Sequence, residues 1–277
     1  MRRLVRDGVA LCYEETGRGD PPFLFVHGWC CDHTHFAPQV AHYGRRHRVV
    51  TVDLRGHGAS DKPEQVYTVE GFADDLAWLC DRLALVRPVV VGHSLGGLVA
   101  LDLAARYPGV PAAIVLLDSP AVPTPRLLAN LRPAVDRFRG PDYREQGRAF
   151  FSNMFMPTDD PDRKARIVEG MCSTPQHVMV SAFDQLVGYD SLPAAERCRV
   201  PILAIASKVP SSDHARFHKL CPQLLTGQVV GAGHFLHLEV PEQVHPMIDR
   251  FLAINGLVPP SPASEARFTT AGSGSTV

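Results

Sequence analysis

The stretch that most constrains the fold of this 277-residue chain is Gly92–Gly97, which reads Gly-His-Ser-Leu-Gly-Gly and directly follows the apolar run Pro88–Val91. The form glycine-x-serine-x-glycine raises a serine on a tight turn between a buried strand and a helix. Helical apolar spacing over Leu98–Tyr107 follows the motif, as that arrangement requires. The pattern therefore predicts that Ser94 presents its hydroxyl above a sheet edge as a nucleophile. An ordinary glycine-rich turn is the alternative.

Apolar runs recur along the chain, with helical segments between them. The runs are Phe23–Val26, Val49–Val52, Val89–Val91, Ala113–Leu117, Ile202–Ile205 and Gln228–Val230. The helical patterns are Val69–Leu85, Leu98–Tyr107, Asp213–Leu220 and Gln243–Ala253. Nearly continuous apolar character is typical of parallel strands that are covered on both faces. A hairpin of Leu4-Val5 with Val9–Tyr13 around Asp7-Gly8 adds two strands. The alternation predicts an α/β fold with a doubly wound, mostly parallel eight-stranded sheet.

The alternation of strands and helices stops after Leu117. From 120 to 193 no strand pattern occurs, and the segment carries helical patterns with bulky apolar residues. Compact domains rarely contain so long a connection without a role. We therefore predict that residues 120–193 form a helical lid over a core built from residues 1–119 and 194–256. Two ordinary crossover helices with long loops are the alternative.

Composition and charge argue against several classes of partner. The chain has 28 basic and 29 acidic residues, so its net charge of −1 favours neither a nucleic acid nor an anionic membrane surface. No apolar stretch after Met1-Arg2-Arg3 is long enough for a signal peptide, and none approaches a membrane span. We expect a cytoplasmic protein. Residues 257–277 are rich in proline, serine, threonine and glycine, and we expect them to be a disordered tail.

The cysteines give no sign of a metal site or a disulfide framework. There are seven, an odd number, and none shows the Cys-x-x-Cys spacing of metal ligands. Adjacent Cys30 and Cys31 are best interpreted as small apolar loop residues. We expect neither a metal nor another cofactor.

A serine nucleophile needs a base, and His234 has the best position among the 13 histidines. It lies in the stretch Gly231–Phe235, just after the last predicted strand. A loop at that point can hold the imidazole over the sheet edge that carries Ser94. We predict that His234 is the base; a histidine with only a structural role is the alternative.

A second glycine turn follows the first parallel strand, Phe23–Val26, in the sequence His27-Gly28-Trp29. A glycine there lets the backbone approach a bound oxygen atom. The backbone amides of Trp29 and Leu95 would then form a two-donor oxyanion hole. The alternative for Trp29 is an aromatic residue that packs under the lid, and both roles could hold together. The residues that we expect to line the substrate pocket are His27, Gly28, Phe151, Met154 and Phe155.

Together these motifs resemble the motif set of the α/β-hydrolase superfamily. The matching segments, in the family's order, are His27-Gly28-Trp29, the loop Asp53–Asp61, Gly92–Gly97 and Gly231–His234. The resemblance covers about residues 4 to 254 and implies the α/β-hydrolase fold. It says much less about the substrate, because one fold carries many reactions. We expect the loop Asp53–Asp61 to be structural, without a catalytic role for His57.

The acid that would orient His234 departs from the family's common pattern. Most similar members carry an aspartate in the turn after the strand that here ends at Ile205, where this chain has Ala206–Pro210 and no carboxylate. Asp118 ends the strand that follows the nucleophile helix, a position that certain haloalkane dehalogenases and cofactor-free dioxygenases use. We predict Asp118 as the acid. Asp213, which resembles a helix N-cap, another lid carboxylate, or no acid at all are the alternatives.

These residues predict a serine hydrolase that cleaves a small or medium hydrophobic ester or lactone through an acyl-serine intermediate. A serine nucleophile argues against epoxide hydrolases and haloalkane dehalogenases, which resemble this fold but use aspartate. A carbon–carbon hydrolase of diketones is one alternative, because the same constellation serves it. A cofactor-free dioxygenase that uses the His–Asp pair is a second, and a non-catalytic ligand receptor is a third. In each enzymatic case the partner is a small hydrophobic carbonyl compound.

Overall fold

A twisted eight-stranded sheet forms the centre of the computed structural model, which describes residues 1–259. The strands are β1 (Arg2–Arg6), β2 (Val9–Thr16), β3 (Phe23–Val26), β4 (Val49–Asp53), β5 (Val89–His93), β6 (Ala113–Leu117), β7 (Ile202–Ala206) and β8 (Leu224–Gln228). Their order is β1-β2-β4-β3-β5-β6-β7-β8. The pairs β1–β2 and β2–β4 are antiparallel, and the remaining five pairs are parallel. The predicted mostly parallel sheet of eight strands is confirmed.

Helices cover both faces of this sheet. Those associated with the sheet are α1 (Ala37–Tyr43), α2 (Val69–Arg82), α3 (Leu95–Arg106), α8 (Leu192–Arg197), α9 (His214–Leu220), α10 (Leu236–Glu239) and α11 (Pro241–Ile254). Four more, α4 (Pro125–Phe138), α5 (Tyr143–Ser152), α6 (Pro161–Cys172) and α7 (Gln176–Gly188), lie between β6 and β7 in the chain. No helix within residues 1–259 combines the length and the apolar character needed to cross a bilayer.

The apolar runs are continuous because each parallel strand buries side chains on both faces. On one face Val26, Val90 and Leu116 pack with α2, α3 and the helices of the β6–β7 connection. On the other face Phe25 and Val91 join a second cluster that includes residues of α11. Successive side chains of a strand point to opposite faces, so two buried faces require an uninterrupted apolar sequence.

The predicted lid corresponds to four helices that pack on one another. α4 contacts α5 and α7, and α5 contacts α6. The predicted boundary at 193/194 falls inside α8, which packs against α3 of the core. The segment with its own helical packing therefore ends before α8. We use the word cap for residues 120–191.

Two other boundaries differ from the prediction. The last strand is β8, Leu224–Gln228, and the expected strand Gln228–Val230 is wrong. Val230 is 79% exposed and its amide donates to the Gln243 side chain instead of to a neighbouring strand. The predicted tail begins too early, because Leu257 and Val258 pack against the second cluster. Residues 260–277 of that tail lie outside the described residues.

Each of the seven cysteines lies within the described residues and is unpaired and buried. Cys30 and Cys31 belong to the main apolar cluster together with Trp29. Burial raises the pKa of the Cys30 thiol well above its usual range. Both side chains are buried in the apolar core, which agrees with the interpretation from the sequence.

Candidate active site

Ser94 occupies a strained turn between β5 and α3. Its backbone has φ 52° and ψ −116°, a conformation that costs a residue with a side chain about 1–3 kcal/mol. The Ser94 amide donates to the Leu117 carbonyl at 3.0 Å, and the Ser119 hydroxyl donates to the Ser94 carbonyl at 2.8 Å. Ser94 is partly exposed, whereas His93 and Leu95 beside it are buried. The turn thus presents one polar residue at the carboxyl edge of the sheet.

Two glycines make this turn sterically possible. A Cβ added to Gly92 would collide with the Gly96 carbonyl, and one added to Gly96 would collide with the Val26 carbonyl. Close approach of α3 to β5 and β3 therefore requires glycine at both positions. The helix α3 begins at Leu95, three residues before Leu98, where helical apolar spacing becomes visible in the sequence.

Asp118 and His234 meet at the same edge. The His234 Nδ1–H donates to Asp118 Oδ2 at 2.6 Å, a short hydrogen bond with a carboxylate as the acceptor. Asp118 follows β6 directly and is only 6% exposed. Its other oxygen, Oδ1, accepts from the Ser207 amide at 3.2 Å and the Ser211 hydroxyl at 3.1 Å. Both carboxylate oxygens are therefore used, and the group is fixed in one orientation.

The turn after β7 has an unexpected part in this arrangement. It lacks the aspartate of the family's common pattern, yet its residues Ser207 and Ser211 donate hydrogen bonds to Asp118. Asp213, the alternative acid, caps α9 and accepts from the Arg216 amide at 2.9 Å. The loop after β7 thus donates hydrogen bonds to a carboxylate that follows the neighbouring strand β6.

The loop that carries His234 is fastened to the cap and to the core. The His234 amide donates to the Met154 carbonyl at 2.8 Å, and the Gly233 amide donates to Glu239 Oε2 at 2.9 Å. The His234 side chain is 21% exposed. Because Nδ1 donates to Asp118, Nε2 of the neutral ring carries the free lone pair that a general base needs.

His93 lies between Ser94, which follows it in the chain, and His234, which its ring contacts. The ring centroids of His93 and His234 are 4.6 Å apart, and His93 Nε2 lies 2.9 Å from the His234 carbonyl oxygen. Among residues 1–259 no hydrogen bond joins the Ser94 hydroxyl to the His234 ring. Such bonds in unliganded enzymes often tighten only when the substrate binds.

Two backbone amides beside Ser94 are available as donors. Neither the Trp29 amide nor the Leu95 amide donates a hydrogen bond to an acceptor in the described part of the chain. A Cβ added to Gly28 would lie 3.3 Å from Ser94 Cβ, so the turn after β3 is in contact with the turn that carries Ser94. Free amides at this edge can bind a developing oxyanion.

The Trp29 ring packs under the cap. It stacks on Phe183 with 4.2 Å between ring centroids, and its Nε1–H donates to the Met179 carbonyl at 2.9 Å. Phe138 and Phe151 lie 5.4 and 5.2 Å from it. This aromatic cluster closes the space between the cap and the β3 turn.

Two of the expected pocket residues do not line a pocket. Phe151 is 0% exposed inside the aromatic cluster, so its assignment to the pocket is wrong. His27 is also 0% exposed; its Nδ1–H donates to the Gly28 carbonyl at 2.8 Å, and its Nε2 accepts from the Leu54 amide at 3.0 Å. Burial lowers the pKa of His27, and the neutral ring joins the ends of β3 and β4.

The other expected pocket residues lie at the edge of the site. Gly28 contacts the Ser94 turn, and Met154 is partly exposed beside His234. Phe155 stacks on Phe235, with 4.9 Å between ring centroids, next to the His234 loop. That these three residues line a substrate pocket stays a prediction.

The loop Asp53–Asp61 is held by its own charged and polar groups. Asp53 accepts from the His33 amide and the Ala59 amide, each at 2.7 Å. His57 is buried, and its Nδ1–H donates to the Arg55 carbonyl at 3.0 Å. Burial lowers the pKa of His57 to about 3. These contacts agree with the structural role that we expect for this loop.

Sequence reasoning missed the residues that hold the site together. They are His93, Ser207, Ser211 and Glu239, together with the Met154 carbonyl. His93 is the one that a local signal could have revealed, because it directly precedes Ser94. Ser207 and Ser211 are 89 and 93 residues from Asp118 in the chain, and Glu239, six residues from Gly233, belongs to no recognisable motif.

Comparisons with known proteins identify the fold family. The family model described as alpha/beta hydrolase fold matches residues 21–241. A 2-(acetamidomethylene)succinate hydrolase of Mesorhizobium japonicum is 38% identical over 117 residues, and the match spans 42% of each protein. The 3-oxoadipate enol-lactonase 2 of Acinetobacter baylyi is 25% identical over 245 residues, 86% of this chain and 91% of that protein.

A solved structure gives the same result for the fold. The chain is similar to a thermophilic esterase from Thermogutta terrifontis, with a TM-score of 0.81 and 27% identity, over 92% of this chain and 99% of that one. The family model, the sheet order and the serine turn all lead to one conclusion. The chain belongs to the alpha/beta hydrolase fold family.

Proposed function

We propose that this chain is a serine hydrolase that cleaves small or medium hydrophobic esters or lactones through an acyl-serine intermediate. The observation that carries the proposal is the 2.6 Å hydrogen bond between Asp118 and His234, formed beside a strained and partly exposed Ser94. An acid, a base and a serine in this arrangement are the requirements of acyl transfer.

The reaction proceeds in two halves. His234 Nε2 takes the Ser94 hydroxyl proton as Oγ attacks the substrate carbonyl carbon, and Asp118 stabilises the resulting imidazolium. The Trp29 and Leu95 amides hold the tetrahedral oxyanion. The imidazolium returns its proton to the leaving alkoxide, which leaves the acyl group on Ser94. Water, deprotonated by His234, then attacks the acyl carbon and releases the acid.

The proposed substrate class follows from the surroundings of the site. The aromatic cluster of Trp29 with Phe138, Phe151 and Phe183 fills the space under the cap, which favours small or medium apolar groups over large ones. The relatives include an enol-lactonase and an esterase by name, which supports the ester and lactone classes. The chain spans only 42% of the Mesorhizobium hydrolase, so that protein's substrate is not transferred.

The experiment that tests the proposal is a substrate panel with the wild-type protein and Ser94→Ala. The panel contains p-nitrophenyl butyrate, a simple aliphatic lactone and a vinylogous diketone, with oxygen uptake recorded in parallel. We expect ester or lactone hydrolysis that Ser94→Ala reduces at least about 10⁴-fold. Preferential cleavage of the diketone would assign the carbon–carbon hydrolase instead. Oxygen consumption that survives Ser94→Ala would assign the dioxygenase and contradict the proposal.

A further inference from the structure

His93 forms a hydrogen bond to the backbone of the proposed base. It is 1% exposed, and its Nε2 lies 2.9 Å from the His234 carbonyl oxygen. A carbonyl oxygen only accepts hydrogen bonds, so Nε2 must carry the proton. His93 is therefore in its Nε2–H form and donates to the loop that holds His234.

The other side of the ring faces the turn after β3. In the neutral Nε2–H form Nδ1 is a bare lone pair, and it is buried without a hydrogen-bond partner among residues 1–259. A Cβ added to Gly28 would lie 2.9 Å from this nitrogen. The ring is thus wedged between Gly28, which precedes the Trp29 amide, and the His234 loop.

The surroundings of His93 keep it uncharged. Burial, with the neighbouring His237 and His234 rings, lowers the pKa of His93 well below its usual range. The ring centroid of His237 is 4.5 Å away and that of His234 is 4.6 Å away. A proton on Nδ1 would be buried without an acceptor, so geometry and electrostatics favour one tautomer.

We propose that His93 is a positioning residue that sets the His234 loop and the Gly28–Trp29 turn at one fixed distance on either side of Ser94. It does so with the Nε2–H bond to the His234 carbonyl and with the ring packed under Gly28. The assignment rests on the proposed function in naming His234 and Trp29 as the groups that are positioned. The tautomer and the contacts of His93 stand independently of it.

Two variants with side-chain amides at position 93 distinguish loss of the hydrogen bond from a general change in polarity or packing. In His93→Gln the side-chain amide nitrogen can occupy the place of Nε2 and donate to the His234 carbonyl. In His93→Asn the amide reaches only as far as Nδ1, so the carbonyl loses its donor. We expect His93→Asn to lower kcat on p-nitrophenyl butyrate between about 10-fold and 100-fold with little change in KM. His93→Gln should restore most of that loss.

A second readout does not depend on turnover. The proton in the hydrogen bond between His234 and Asp118 should give a resonance far downfield in the proton NMR spectrum. That resonance should shift or broaden in His93→Asn and return in His93→Gln. Equal kcat values and equal resonances in the two variants would overturn the positioning role. If wild type hydrolyses no ester but the resonance behaves as expected, the proposed function fails and the positioning role stands.

The tautomer can be measured without any substitution, which keeps the inference testable if a variant does not fold. Imidazole ¹⁵N–¹H spectra of the wild-type protein should show His93 as the Nε2–H form with no titration between about pH 5 and 9. The ionisable groups near it are His234, His237 and His35. An Nδ1–H form, or titration of His93 in that range, would overturn the inference.

Discussion

Replacement of Asp118 by asparagine should nearly abolish turnover while leaving the fold intact. The Ser207 amide donates to Asp118 Oδ1 at 3.2 Å, so the asparagine carbonyl oxygen must occupy that position. Its NH₂ group then faces His234 Nδ1, where the wild-type carboxylate accepts at 2.6 Å. Two donors cannot face each other, so the ring proton moves to Nε2. The base then has no lone pair to receive the Ser94 proton.

The expected loss in kcat for Asp118→Asn is about 10⁴-fold, which corresponds to about 5.5 kcal/mol of barrier. The assay is p-nitrophenyl butyrate hydrolysis under saturating substrate. The matched control is Asp213→Asn, because asparagine caps a helix as well as aspartate does. In the described part of the chain the Asp213 side chain accepts only from the Arg216 amide. We expect the control to stay within about twofold of wild type. Turnover of Asp118→Asn within tenfold of wild type, or a large loss in Asp213→Asn, would refute the reasoning.

Three further predictions concern the surrounding structure. Gly28→Ala places a methyl group 2.9 Å from His93 Nδ1 and should lower kcat about 100-fold; an unchanged kcat would argue against the Trp29 amide as an oxyanion donor. Trp29→Phe keeps the stacking on Phe183 but removes the hydrogen bond from the indole Nε1–H to the Met179 carbonyl, so urea unfolding should show about 1 kcal/mol less stability. The third is a pH dependence: His57, with its pKa lowered to about 3, contributes stability above about pH 6.5 that is lost as the pH falls towards 3. His57→Asn, which can still donate to the Arg55 carbonyl, should show a shallower loss between pH 7 and 5, by up to about 1.4 kcal/mol per pH unit; identical slopes would contradict this.

The candidate site could be predicted as far as it depends on local sequence and on sheet topology. The glycines around Ser94 specify the turn, because any side chain at Gly92 or Gly96 would collide with a backbone carbonyl. Asp118 and His234 are 116 residues apart in the chain. Their contact is still expected from the parallel sheet, because each residue comes after a strand whose carboxyl end lies at the same edge of the sheet.

The rest depended on contacts that no local pattern records. His27 is the type of residue that often lies in an active site. Its ring nitrogen, however, accepts a hydrogen bond from the Leu54 amide at the end of a neighbouring strand. Phe151 and Phe155 are equivalent in the sequence, since both are bulky apolar residues of the predicted lid. In the structure Phe151 packs against Trp29 and is completely buried. The strand expected at Gln228–Val230 does not form, because the Val230 amide donates to a side chain of α11 and not to a neighbouring strand.

The most direct test of the central claim is identification of the residue that becomes covalently modified during turnover. Wild-type protein is treated with a fluorophosphonate or with rapidly quenched p-nitrophenyl ester, digested, and analysed by peptide mass spectrometry. We expect a single adduct on Ser94 that is absent from Ser94→Ala and forms much more slowly in His234→Ala. Hydrolysis by a wild-type protein that carries its adduct elsewhere, or continued ester turnover by Ser94→Ala, would contradict it.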